Sequence, residues 1–189
     1  FDDQHRVTVV ERGVVLGGSS AAGMVSVAIG PDSDEVIARN EPGSGKFEIE
    51  RRVSVAPKER EQFAFYIAAG PEQDGALASM DVLRRRGWKD LLRDTRDAIQ
   101  SHEQSTGQES HHGIINRNLL FAYFYGVGRA VDDAHYYLVR SRAPWHGRGV
   151  TVRDWEALTW TLPAIQLADP PLARELLIRA CELHGYAPG

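Results

Sequence analysis

Lys46-Phe47-Glu48-Ile49-Glu50-Arg51-Arg52-Val53-Ser54-Val55-Ala56 is the stretch whose reading decides the fold class. Phe47, Ile49, Val53 and Val55 fall on one face of an extended chain, and Glu48, Glu50, Arg52 and Ser54 fall on the other. A period of two marks a strand in a sheet with one wet face. Pro57-Lys58-Glu59-Arg60 then turns the chain, and Phe63, Phe65 and Ile67 alternate again before Gly70-Pro71. Upstream, Val7 and Val9, Val14 to Leu16, and Met24 to Ile29 are strand-like runs. They are broken by Gly13, by Gly17-Gly18-Ser19-Ser20, and by the turn cluster Gly30-Pro31-Asp32-Ser33. Short strands at this spacing predict a portion of an antiparallel β-sandwich over residues 1–70.

Past Pro71 the period changes to 3.6. Ala76, Met80, Leu83, Trp88, Leu91, Leu92, Thr95 and Ile99 form one modest apolar seam among charges, which predicts a long exposed helix that Gly87 kinks. Ser101 to Gly113 is polar and reads as a loop, so residues 71–112 are assigned to a linker helix and loop. Ile114 to Tyr125 is a denser apolar helix stopped by Gly126-Val127-Gly128. Arg129 to Val152 reads as irregular and rich in aromatics and histidine. Two helices follow, Asp154 to Leu167 and Leu172 to His184, with Pro170 at a first helical position behind an Asp169 cap. The first of the two is apolar nearly all round, with Trp155, Leu158, Trp160, Leu162 and Ile165, and is expected to be buried. The fold class is therefore α+β, with residues 113–189 forming a helical domain.

The net charge is −4, and arginines alternate with acids without forming a basic stripe, which argues against nucleic acid as a partner. No apolar run approaches the roughly 18 residues of a membrane span. The single cysteine, Cys181, sits at an apolar helical spacing, reads as a small buried hydrophobe, and fits a reducing, cytoplasmic compartment. The chain opens on Phe1-Asp2-Asp3 and closes on Tyr186-Ala187-Pro188-Gly189 straight after a helix, so both ends read as cuts inside a larger protein. The remainder of that chain, or another subunit, is the partner expected to cover the apolar helices.

Gly43-Ser44-Gly45-Lys46 resembles a phosphate loop only in part. Asn40 stands where the first glycine belongs and Phe47 where Ser or Thr belongs, so a hairpin turn is predicted. His111-His112, with His102, Glu103 and Glu109 nearby, lacks the i, i+4 spacing of a helical zinc pair and reads as a solvated loop, with no metal assigned.

Arg142 to Trp155 gathers arginines, glycines, Trp145, Trp155 and Asp154 into a segment that runs into a helix. Sugars are bound in this chemical style, by charge-assisted hydrogen bonds to hydroxyls and aromatic cover over the ring. Thr151 and Asp154 also match a capping box, and the residues alone leave both readings open.

Leu138-Val139-Arg140-Ser141-Arg142-Ala143-Pro144, then Val152-Arg153-Asp154, then Leu158-Thr159-Trp160-Thr161-Leu162-Pro163-Ala164 resembles the first helical hairpin of the six-hairpin glycosidases. Glucoamylases and the glucosidase domain of glycogen-debranching enzymes belong to that group. The resemblance implies a β-sandwich portion, a linker helix and the opening helices of an (α/α)6 barrel. It implies a glycoside hydrolase acting on an α-glucan or related oligosaccharide or polysaccharide, without a cofactor. Arg153 and Asp154 match an R-D pair that holds the terminal sugar, with Trp155 and Trp145 as further substrate-binding residues. Thr151 stands where the family carries a tryptophan. The resemblance places the catalytic acid and base on later hairpins, outside this chain. Asp154 and Glu156, two apart on a helix, point to different sides and cannot form the opposed carboxyl pair that inversion requires. Two other readings stay open: a non-catalytic carbohydrate-binding or protein-interaction module, and a helical scaffold without a ligand.

Overall fold

In the computed structural model, residues 6–20, 23–43, 45–105, 107–130, 135–139 and 157–185 are described. The fold is α+β, with antiparallel sheets and, among the described residues, five α-helices. It divides into two compact units, residues 1–94 and 95–189.

In unit 1, β1 (Arg6–Val10), β2 (Gly13–Ser20), β3 (Gly23–Pro31) and β6 (Phe65–Gly70) form one antiparallel sheet in the order β1-β2-β3-β6. The glycines and serines at 17–20 do not break β2; they pair with β3 as far as Ser20 opposite Gly23. β1 reaches only to Gly17, opposite Arg6, so Gly18, Ser19 and Ser20 are held in the sheet by β3 alone. α1 (Gln73–Arg86) lies on the sheet, and its Ala76 and Met80 join Val15, Ala28, Tyr66 and Ala68 in the core. Trp88 and Leu91 of α2 (Trp88–Ser101) pack against the same cluster. The predicted long helix is in fact two, because Gly87 takes φ 80°, a conformation that costs little only without a Cβ, and caps α1 through its N–H.

The alternation that decided the fold class is correct in kind and wrong in extent. β5 spans only Phe47–Glu50, pairing with β4 (Ile37–Asn40), while Val53 and Val55 are 40% and 52% exposed. Arg51 explains the stop. Its guanidinium turns onto the Asp32 carboxylate, both side chains only 17% exposed, and Asp32 also accepts the N–H of Ala64. That buried ion pair fixes both ends of residues 51–64 and leaves the stretch between them outside the sheet. In β6 the buried row is Tyr66, Ala68 and Gly70, not Phe65 and Ile67, which face out with Phe63. The turn at Gly43 and Gly45, both at positive φ, joins β4 to β5 as the predicted hairpin.

In unit 2, α3 spans Glu109–Gly126 and so takes in residues 109–113, the end of the stretch read as a polar loop. Part of the stretch read as irregular is a short hairpin of β7 (Val127–Arg129) and β8 (Tyr136–Leu138). A π-helical turn, Ala157–Thr161, runs into α4 (Leu162–Ala168), and α5 spans Pro170–Gly185. The core joins Val127, Leu138, Ala157, Ile165, Leu172, Ala173, Leu176 and Ala180. Gly126 lets α3 close on the π turn, since a Cβ there would sit 2.4 Å from Thr161 Cγ2. Asp169 caps α5 as its sequence implied, its Oδ1 accepting the Leu172 N–H at 3.0 Å behind Pro170.

One expectation fails here, that for Cys181, while the apolar segment is covered only in part by the described elements. The segment read as buried all round is buried along one stripe only, Ala157, Thr161 and Ile165, with Trp160 78% and Leu167 66% exposed. The described neighbours, α3 and α5, cover one side of it, so full apolar composition does not translate into full burial. Cys181 is exposed, because α5 buries the row Leu172, Ala173, Leu176 and Ala180, and the next position falls off that stripe.

Candidate functional site

A recess in unit 2 lies between the last turns of α2 and α3. α2 contributes Thr95, Ala98 and Ile99, with His102 just past its end; α3 contributes Asn116, Leu119, Leu120, Tyr123 and Phe124. Glu103 and Ala168 complete a cavity of about 210 Å³. Its walls are mostly apolar because Ala98, Ile99, Leu119, Leu120 and Phe124 fall on i, i+3, i+4 rows of the two helices.

His102 stands in the cavity wall. Its Nδ1 donates to the Ala98 carbonyl oxygen at 2.6 Å, and its Nε2 lies 3.4 Å from Asp169 Oδ2. A carbonyl can only accept, so Nδ1 carries hydrogen, and Nε2 bonds to Asp169 only in the doubly protonated ring. Tyr123 stacks obliquely on the imidazole with centroids 5.3 Å apart. Burial first, then the charges of Asp169 and Tyr136, push the Tyr123 hydroxyl above the usual phenol range, so it stays protonated at neutral pH.

Asn116, buried beneath the connection from α2 to α3, holds the wall in place. Its Oδ1 accepts the Gln104 N–H at 2.8 Å, and its Nδ2 donates to the Gln104 carbonyl at 3.1 Å and towards His112 Nε2 at 3.1 Å. One amide thus satisfies both backbone groups of a residue that has no helix to do so.

Unit 1 has a more polar recess of about 350 Å³ lined by Arg12, Asp32, Asp34, Asp81, Arg84 and Arg85. Arg84, only 10% exposed, donates to Asp34 at 2.9 Å and to the Ser33 carbonyl at 3.2 Å. Arg12 reaches Asp34 at 3.5 Å, while Arg84 Nε and Nη1 are buried without a hydrogen-bond partner among the described residues.

Trp145, Arg153, Asp154 and Trp155 all lie outside the described residues, as does the proposed Thr151 cap. The histidines of the α2–α3 region do not converge on a metal. Among the described residues no group of three His, Cys, Asp or Glu side chains could hold one. His112 instead serves Asn116, and His135 packs against Arg179 and Glu175. Sequence reasoning missed the grouping of His102, Tyr123 and Asp169. His102 and Asp169 are 67 residues apart, and Asp169 already had a local explanation as a cap. No short-range pattern brings them together.

No protein family, no curated protein and no solved structure matches this chain. No described helix is long and apolar enough to cross a membrane.

Proposed function

We propose that the chain is part of a glycoside hydrolase acting on an α-glucan or related oligosaccharide by acid-base catalysis. In this reading Arg153 and Asp154 hold the terminal sugar, Trp155 and Trp145 cover it, and the acid and base carboxyls come from elsewhere. The order of elements carries the reading: antiparallel sheet, two consecutive helices, then α3 and a second helical segment. The opening hairpin of an (α/α)6 barrel would leave apolar surface for further helices to cover. Ile114 on α3, Trp160 and Leu167, between 62% and 78% exposed, fit that demand.

A second reading, a non-catalytic binding module, is favoured by the mostly apolar cavity of unit 2, lined mainly by α2, α3 and the residues between them.

Arg153→Ala and Asp154→Ala, assayed in the intact enzyme with a malto-oligosaccharide, test the first reading. A charged hydrogen bond to a sugar hydroxyl is worth about 1.5–3 kcal/mol, so kcat/KM should fall roughly 10- to 150-fold while Tm holds. If Asp154→Ala and Thr151→Ala instead cost about 1 kcal/mol of stability each and leave kcat/KM unchanged, the pair caps a helix and the sugar-binding role fails.

A further inference from the structure

We propose that the cavity between α2 and α3 is a binding site for a small aromatic molecule bearing one hydrogen-bond donor, a phenol or an aryl amine, separate from any sugar site at Arg153 and Asp154. Size comes first. An apolar cavity of about 150 Å³ suffices to hold benzene, and this one, at about 210 Å³, has room for a substituted ring. Ile99, Leu119, Leu120 and Phe124 offer such a ring apolar contact on several sides.

The polar lining residues set the chemistry. Tyr123 and the exposed Glu103 both line the cavity, and neither side chain has a hydrogen-bond partner among the described residues. His102 already spends Nδ1 on Ala98, and Asp169, outside the lining, is taken up by the Leu172 N–H. The Glu103 carboxylate can only accept. A ligand O–H or N–H is therefore welcomed there, and a ligand carboxylate would face Glu103. Two contacts position the lining: Asn116 pins the connecting segment through Gln104, and His102 is held through Nδ1 on the Ala98 carbonyl.

Phenol, benzylamine, toluene and benzoate, titrated against the full chain with amide and methyl NMR shifts as readout, test the proposal. Phenol or benzylamine should give saturable shifts centred on Leu119, Leu120 and Tyr123, at least tenfold tighter than benzoate. Whichever of the two binds more tightly identifies the donor as neutral or cationic. Ala98→Leu fills the cavity from an exposed helical position that favours leucine, and should abolish binding without lowering Tm. Leu120→Phe fills it from the other wall, should Ala98→Leu fail to fold. Tyr123→Phe should weaken the donor ligand about tenfold and leave toluene unchanged. Two results overturn the proposal: absence of saturable shifts with all four probes, or binding that survives a folded cavity-filling variant. Toluene matching phenol with no Tyr123 effect overturns the donor requirement.

Discussion

The two units solve the burial of apolar surface in opposite ways. In unit 1 the sheet buries small residues beside Val15 and Tyr66 and leaves several large ones exposed. Ala28, Ala68, Ser26 and Gly70 lie in buried positions, while Val25, Phe65 and Ile67 on the other face are 43%, 44% and 64% exposed. The reason is distance. α1 lies directly on the sheet, and the small side chains of Ala28 and Ala68 leave room for Met80 beside Val15 and Tyr66. In unit 2 the large residues go in: Leu176 and Ile165 are 0% and 1% exposed, with alanines filling the gaps between helices. Apolar character alone therefore misassigns the inner face of a strand when its neighbour is close, and assigns a helix stripe correctly when neighbours are spaced by side chains.

The strongest way to break this contrast is core truncation. Leu176→Ala in unit 2 and Met80→Ala in unit 1 should each cost about 2–5 kcal/mol. Native-state hydrogen exchange should show lost protection mainly in the unit that carries the substitution. Equal loss in both would mean that the two cores unfold as one.

Gly126→Ala comes next. Its new methyl would meet Thr161 Cγ2 at 2.4 Å and Oγ1 at 2.5 Å, so about 1–3 kcal/mol should be lost in denaturant unfolding. Thr161→Ala in the same chain should restore part of it. Absence of any rescue would show that the cost arises from the helix end rather than from this contact.

The two rows of β6 sharpen the comparison within one strand. Ala68→Leu, under α1, should cost about 1–3 kcal/mol by overpacking. Ile67→Thr, one residue away and facing out, should stay within about 0.5 kcal/mol and lower hydrophobic-dye binding. A large loss from Ile67→Thr would show that the outer row is covered in solution.

The smallest effect is electrostatic. The hydrogen bond from Arg84, then the charges of Arg12 and Arg84, hold the Asp34 carboxyl below its usual value. A lowered folded pKa gives stability that is present above the ordinary carboxylate value, about 4, and lost as pH falls through the folded one. Asp34→Asn should therefore flatten a shallow decline of unit 1 stability in acid, followed by Tm against pH. Parallel curves for the two proteins would remove Asp34 from the account.

Much was legible from residues alone wherever the cause is local. Period two against period 3.6 placed the change from sheet to helix near Pro71, Gly43 and Gly45 marked a hairpin, and Asp169-Pro170 marked a helix start. Each depends on backbone preferences or capping within a few residues, which short stretches of chain carry in full. The tertiary structure decided the rest. It chose which row of β6 is inside, stopped β5 at Glu50 by turning Arg51 onto Asp32, and left Trp160 and Cys181 on the surface. It also brought His102 and Tyr123 to Asp169, across 67 residues in the case of His102. Such outcomes depend on how close the next element lies and on which partner neutralises a charge, and neither is written in the local pattern.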